Sequence, residues 1–123
     1  MEFNDNKPIY MQMADSIMDS IVRGKYPKGD RMPSVREYAI SSGVNPNTVQ
    51  RTYTWLQNQG LISMKRGIGY FVNDNAVRDI LEMQRKHFME HETSYFMERL
   101  ASFGVSPEQL CEDYKAFLAS RKD

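Results

Sequence analysis

The sequence predicts a mainly α-helical fold with one small β-hairpin. Apolar residues recur at spacings of three and four over most of the chain, whereas 61–72 has the pattern of two short strands around a glycine-containing loop. The chain has 123 residues, 41% of them hydrophobic and 26% charged. This length and composition are typical of one compact globular domain with a helical extension.

The composition excludes several classes of protein. No apolar run approaches the roughly 20 residues that a membrane-spanning helix needs. The N-terminal residues lack the basic and then apolar pattern of a secretory signal. The single cysteine, Cys111, cannot build an intramolecular disulfide framework. We therefore expect a cytoplasmic protein that does not contact a membrane.

Two helices are predicted at the start of the chain. The first covers about 8–23, where apolar residues form one face, and Gly24 follows its end. The second begins at Ser34, because Glu37 three residues later completes a capping box. Gly43 ends this helix, since glycine tolerates the left-handed backbone of a helix C-terminus.

A third helix and a hairpin follow directly. Asn45 is a favourable N-cap and Pro46 a favourable first helical residue, and Gly60 ends the helix. Strands are predicted at 61–64 and 70–72. Two short helices separated by a tight glycine turn form the helix-turn-helix pattern, and the hairpin after them has the position of a wing. The sequence thus predicts a winged helix-turn-helix domain at 1–75.

The remainder of the chain, 76–123, is predicted to be a two-helix dimerisation module. A helical pattern runs from 76 to about 102, and Gly104 breaks it. Ser106 and Gln109 then form a second capping signature before the last amphipathic helix. Two apolar helices attached to a small domain would leave much apolar surface uncovered, which dimerisation would bury.

The charge distribution favours contact with nucleic acid. The net formal charge of the chain is zero. However, 31–72 carries five basic residues and one acidic residue, a local charge of +4, whereas 76–123 carries seven basic and nine acidic residues. A local positive patch is sufficient to attract phosphates.

The third predicted helix carries the candidate base-reading residues. In a helix-turn-helix this helix enters the major groove with its N-terminal residues at the base edges. Asn47 and Gln50 can form hydrogen bonds with adenine, and Arg51 can do so with guanine. Thr48 can contact a phosphate or a thymine methyl group. The exposed positions of this helix carry no acid that would repel phosphates.

Further DNA contacts are predicted at the second helix and the wing. Arg36 lies in the first turn of the second helix, and Lys65 and Arg66 lie in the wing loop. The loop glycines would let the backbone approach the duplex closely. Arg31 could contact a phosphate or form a structural ion pair. The complete candidate set is Arg36, Asn45, Asn47, Thr48, Gln50, Arg51, Lys65, Arg66, Gly67 and Gly69.

Several spaced blocks resemble the GntR family of bacterial regulators. These are YPKGDRMPSVRE at 26–37, GVNPNTVQR at 43–51, GLI at 60–62 and GIGYFV at 67–72. Pro46 and Gln50 replace arginines that many members carry, and this variant resembles the YtrA-type subfamily. The resemblance implies a sequence-specific DNA-binding regulator, a repressor in its usual mode, that binds an inverted-repeat operator as a homodimer through its C-terminal helices.

Other functions remain as alternatives. A winged helix can also serve as a protein–protein interaction module, with the C-terminal helices docking a partner. His87 and His91 have a spacing that metal ligands use, but two histidines without a third ligand favour a solvated helix face or dimer packing. We expect no metal, cofactor or enzymatic activity. The operator, the regulated genes and any small-molecule effector are not encoded in a recognisable pattern.

Overall fold

The computed structural model describes residues 7–121 and confirms a mainly helical chain with one antiparallel hairpin. No helix in this range is both long and apolar enough to cross a membrane. The elements are α1 Ile9–Val22, α2 Val35–Ser42, α3 Pro46–Asn58, β1 Ile62–Lys65, β2 Gly69–Val72, α4 Ala76–His87, a π-helical segment Phe88–Glu92, α5 Thr93–Ser102 and α6 Pro107–Ser120.

The predicted helix caps of the helix-turn-helix are present. The Glu37 backbone N–H donates to Ser34 Oγ at 3.0 Å, and the Ser34 N–H donates to Glu37 Oε1 at 2.8 Å, which completes the capping box. Gly43 ends α2 with φ at +69°, in the left-handed region. Asn45 Oδ1 accepts the Asn47 N–H at 2.8 Å and so caps α3. The caps therefore fix where the turn begins and ends.

One hydrophobic core holds α1 and α3 together. The inward stripe predicted for α3, which is Val49, Tyr53 and Leu56, is fully buried. Thr52 is also buried, and its hydroxyl lies 3.0 Å from the carbonyl oxygens of both Tyr10 and Thr48. The other buried apolar residues are Met13, Ala14, Ile17, Met18, Ile21, Met32, Ala39, Leu61, Ile62, Val72, Ala76 and Ile80.

A third extended segment, which the sequence pattern did not predict, pairs with the wing hairpin. β1 and β2 pair from Ile62 opposite Val72 to Lys65 opposite Gly69. On the other side of β2, the Met32 N–H donates to the Tyr70 carbonyl at 2.8 Å, and Arg31 forms an isolated bridge with Phe71. The segment before α2 thus satisfies backbone groups of β2 that a free edge would leave unpaired.

The helical pattern predicted over 76–102 is confirmed, but its middle is not regular α-helix. A π-helical segment separates α4 from α5. Here the Thr93 N–H donates to the Phe88 carbonyl, and the Thr93 hydroxyl lies 3.1 Å from the same oxygen. This five-residue spacing inserts one extra residue into the helix. Apolar periodicity does not reveal such an insertion, since it leaves the residues on both sides helical.

The chain divides into two compact units, Met1–Met83 and Gln84–Asp123. Ala76 and Ile80 at the start of α4 are buried in the core of the first unit. In the second unit, the π-helical segment, α5 and α6 contain no buried residue. The domain division at residue 75 and the role of 76–123 in dimerisation stay predictions.

Candidate nucleic-acid interface

The outward face of α3 is polar and free of acid. Asn47, Gln50, Arg51 and Thr54 are exposed, while Thr48 is half-buried. The opposite stripe of α3 packs in the core, so these side chains lie outside the core and remain available to a ligand. The face therefore combines amide, hydroxyl and guanidinium groups, which are the groups that bond base edges.

Gln50 joins this face to the wing. Its Nε2 lies 3.1 Å from the Tyr70 hydroxyl on β2 and 3.3 Å from Thr54 Oγ1, one turn further along α3. The first contact spans 20 residues of sequence. It places a candidate base-reading side chain of the recognition helix directly beside the hairpin.

A cluster of three tyrosines lies behind this contact. Tyr53 packs edge-on against Tyr70, with ring centroids 5.1 Å apart, and against Tyr38 at 6.1 Å. The Tyr53 hydroxyl donates to the Pro33 carbonyl at 2.7 Å. Burial raises the pKa of Tyr53 well above its ordinary value, and that of Tyr38 moves in the same direction for the same reason. Tyr53 is thus a neutral core residue with no face for a base.

Arg51 is held by the first helix. Its guanidinium carbon lies 3.9 Å from the centroid of the Tyr10 ring on α1. This is cation–π geometry, in which the positive group is attracted to the negative face of the ring. Arg51 remains exposed, so the stacked guanidinium still faces solvent.

The start of α2 contributes Arg36 and a capping carboxylate. Arg36 is exposed, and it forms no ion pair with another residue in 7–121. Glu37 is engaged by its cap: the Ser34 N–H, then the Ser34 hydroxyl and the charge of Arg31 hold the pKa of Glu37 below its ordinary value. The one acidic residue of 31–72 is therefore turned to the helix terminus, which it stabilises.

The wing loop places further cations at the surface. Lys65, Arg66 and Gly67 are exposed, and the Lys65 ammonium lies 4.3 Å from the centroid of the Phe71 ring. Gly67 has φ at +77°, a backbone angle that residue types other than glycine rarely adopt. At Gly69 a Cβ would lie 2.9 Å from Arg31 Nε, so the absence of a side chain there makes room for Arg31.

Three of the residues that shape this surface were not in the predicted set. Tyr10 and Tyr70 position Arg51 and Gln50, and Arg31 lies against the wing. All three act across 20 or more residues of sequence. Only alternation along β2, which puts Tyr70 on the opposite face from Phe71, could have pointed to one of them. Asn45, predicted as a DNA contact, uses its side-chain oxygen to cap α3.

The paired histidines of the second unit lie close to each other and to one carboxylate. The His87 and His91 rings are 4.6 Å apart, and His91 Nε2 lies 3.9 Å from Glu90 Oε2. Among the residues of 7–121, no group of three or more histidine, cysteine, aspartate and glutamate side chains is arranged to hold a metal ion.

Comparison with known sequences decides the family. The profile described as "Bacterial regulatory proteins, gntR family" matches residues 9–72, which include α1, the helix-turn-helix and the wing. The chain belongs to the GntR family. The resemblance seen in the spaced sequence blocks is thereby confirmed.

Relatives of this GntR protein match it over nearly its whole length. The HTH-type transcriptional regulator YhcF of Bacillus subtilis is 36% identical over 94% of each chain. The HTH-type transcriptional repressor YtrA of the same organism is 32% identical over 94% of this chain and 88% of its own. A crystal structure of a GntR-family regulator from Bacteroides thetaiotaomicron has a TM-score of 0.82 and 39% identity, covering 94% of this chain and 100% of the other.

These findings give the GntR protein its general function. It is a DNA-binding transcriptional regulator with a winged helix-turn-helix fold, and it is not an enzyme. The match to YtrA over both the winged domain and the C-terminal helices agrees with the subfamily inferred from the sequence.

Proposed function

We propose that this GntR protein is a cytoplasmic transcriptional repressor that binds an inverted-repeat operator as a homodimer. The main support for the DNA-binding surface is that the acid-free outer face of α3 and the wing lie side by side. They are joined by the contact between Gln50 and Tyr70. A recognition helix and a wing on one surface can contact the major groove and the adjacent backbone together.

The residues of this surface divide into two roles. Asn47, Gln50 and Arg51 project from the first turns of α3, where side chains reach base edges in the major groove. Lys65 and Arg66 are exposed at the wing, which suits phosphate contact. Arg36, Thr48, Gly67 and Gly69 complete the proposed surface, and Asn45 contributes by capping the recognition helix.

Dimerisation is supported by the composition of the second unit. Its helices bury no side chain of their own, so they gain little hydrophobic stabilisation as an isolated chain. A second copy that covers these side chains would supply it. The exposed large apolar residues there are Phe88, Met89, Tyr95, Phe96, Met97, Phe103, Tyr114, Phe117 and Leu118.

The operator geometry follows from two-fold symmetry. A homodimer presents two copies of α3, so its two half-sites should be inverted and spaced by one helical turn of DNA, about 34–36 Å, or a multiple of it. Repression is supported by the similarity to YtrA, which is named a repressor. A dimer seated over a promoter would block polymerase.

Selection of bound sequences from a random duplex pool tests the proposal. We expect an inverted repeat, and we expect the recovered site to shift in a gel at a ratio of two chains per duplex. Placed between a promoter and a reporter gene, the site should lower expression when the protein is present. Recovery of no enriched sequence at low salt, or of a single half-site bound by a monomer, would contradict the proposal.

An Arg36→Ala variant links the activity to the proposed surface. If Arg36 reads a base, its loss should weaken binding by about 1–3 kcal/mol. Arg23→Ala is the matched control, because Arg23 is an exposed arginine that directly follows α1 and pairs with Asp19. Equal affinity of both variants for the selected site would remove Arg36 from the interface.

A further inference from the structure

The side-chain amide of Gln50 has both hydrogens of its nitrogen engaged within the protein. Nε2 contacts the Tyr70 hydroxyl at 3.1 Å and Thr54 Oγ1 at 3.3 Å. An amide nitrogen carries two donor hydrogens and the amide oxygen only accepts. In this arrangement the oxygen is the group left to meet a ligand at the exposed face of α3.

The Tyr70 hydroxyl is a fixed point rather than a mobile partner. The Tyr70 backbone lies between Met64 on β1 and Met32 before α2, with its carbonyl accepting from the Met32 N–H. The Tyr70 ring packs on Tyr53, which is fully buried and donates a hydrogen bond from its hydroxyl to the Pro33 carbonyl. The hydrophobic core therefore determines where this hydroxyl lies, and the hydroxyl determines how the Gln50 amide is turned.

We propose that Tyr70 is a specificity-determining residue that turns the Gln50 amide so that its oxygen faces the major groove. This inference rests on the proposed function, because it requires Gln50 to lie at a base edge. The oxygen would accept from an exocyclic amino group, which adenine and cytosine present there. The carbonyl oxygens of guanine and thymine would repel the Gln50 oxygen, since a carbonyl oxygen and an amide oxygen both only accept hydrogen bonds.

The same orientation excludes bidentate reading of adenine. A glutamine that bonds adenine in this way accepts from N6 and donates to N7. In Gln50 both hydrogens of the amide nitrogen are already donated to Tyr70 and Thr54. Gln50 therefore recognises one amino group by a single hydrogen bond, so Tyr70 sets both the partner and the strength of the contact.

The experiment compares four full-length proteins on a selected operator. They are the wild type, Tyr70→Phe, Gln50→Ala and the control Tyr38→Phe, which removes a hydroxyl from the same tyrosine cluster. Selection with Gln50→Ala first identifies the base pair whose preference depends on Gln50. At that pair, one duplex then carries a base analogue without the major-groove amino group, and another carries an analogue without the carbonyl oxygen.

We expect loss of the amino group to weaken wild-type binding by about two- to tenfold, as for a single hydrogen bond. Loss of the carbonyl oxygen should have little effect. Tyr70→Phe should lose the discrimination between the two analogues, whereas Tyr38→Phe should retain it. Thermal unfolding of each variant reports whether the fold is retained.

Three results would overturn the inference. The wild type could respond to removal of the carbonyl oxygen instead of the amino group. Tyr70→Phe could discriminate as well as the wild type does. Gln50→Ala could leave every position of the selected site unchanged. Each is distinct from failure of the proposed function, in which the wild type itself would enrich no sequence.

Discussion

The guanidinium of Arg51 lies 3.9 Å from the centroid of the Tyr10 ring. The two residues belong to different helices, and the Thr52 hydroxyl, next along α3, lies 3.0 Å from the Tyr10 carbonyl oxygen. α1 therefore does more than fill the core beneath the recognition helix. It holds an arginine of that helix in one orientation before DNA arrives, which lowers the side-chain entropy that binding would otherwise cost.

Replacing Tyr10 tests this role. Tyr10→Leu removes the aromatic face, and we expect DNA affinity to fall by about 0.5–1 kcal/mol, the range for an exposed cation–π contact. Tyr10→Phe keeps the face and should bind like the wild type. Fluorescence anisotropy on the selected operator measures the affinities. Equal binding by the two variants would show that Arg51 does not depend on the ring.

Lys65 should contribute through phosphate contact. We expect Lys65→Ala to weaken binding to all sequences alike and to reduce the slope of log affinity against log salt by roughly 0.9 per chain. Lys25→Ala is the matched control, since Lys25 also lies over a tyrosine ring but outside the wing. Titrations at several salt concentrations give the slopes. An unchanged slope for Lys65→Ala would place Lys65 away from the phosphates.

The two wing glycines should respond differently to alanine. At Gly67 nothing lies within 4 Å of an added Cβ, so only the backbone strain at φ +77° applies, about 1–2 kcal/mol. At Gly69 the φ is +140° and the Cβ would also meet Arg31 Nε at 2.9 Å. We expect Gly69→Ala to destabilise more than Gly67→Ala in urea unfolding.

A double-mutant cycle separates the two effects at Gly69. If the contact with Arg31 matters, Arg31→Ala should recover part of the stability that Gly69→Ala loses. The same Arg31→Ala change should give Gly67→Ala no such recovery. Additive effects of Arg31→Ala and Gly69→Ala would mean that backbone strain alone accounts for the loss.

The capping carboxylate predicts a pH dependence of stability. The pKa of Glu37 is lowered in the folded state from the reference value of 4.5. Its contribution is therefore present above about pH 4.5 and is lost as the pH falls through the lower folded-state pKa. Glu37→Gln has no charge to lose. The stability difference between wild type and Glu37→Gln, measured by urea unfolding, should shrink on acidification; a constant difference would contradict this account.

The sequence was sufficient to predict the local structure of the helix-turn-helix. The capping box at Ser34 and Glu37, the left-handed Gly43 and the Asn45 cap each depend on residues within a few positions of one another. The buried stripe of α3 follows from its helical period. The polar side chains of its other face could therefore be identified before any contact was known.

The contacts between elements could not be predicted in this way. Tyr70 meets Gln50 and Arg51 meets Tyr10 only because the core packs α1, α3 and β2 together. The π-helical segment is local and was missed for a different reason. Its extra residue is marked by a Thr93 hydrogen bond to Phe88, which leaves the apolar pattern helical on both sides.

We expect the apolar surface of α6 to join the two copies of the homodimer. Tyr114, Phe117 and Leu118 are all exposed, and they are the residues that a second copy would cover. Burial of one phenylalanine contributes about 1.5–3 kcal/mol, and a homodimer buries two equivalent copies. We therefore expect Phe117→Glu to raise the dimer dissociation constant by at least roughly tenfold.

Lys115→Glu provides the matched control for that change. It places the same carboxylate on the same helix, at an exposed position that is already charged. Analytical ultracentrifugation should find this variant dimeric at concentrations where Phe117→Glu sediments as a monomer, while circular dichroism shows equal helix content. Because an inverted repeat needs two recognition helices on one assembly, Phe117→Glu should also bind the full operator more weakly without losing affinity for an isolated half-site. If both variants remain dimers, the α6 face is not the contact that joins the two copies.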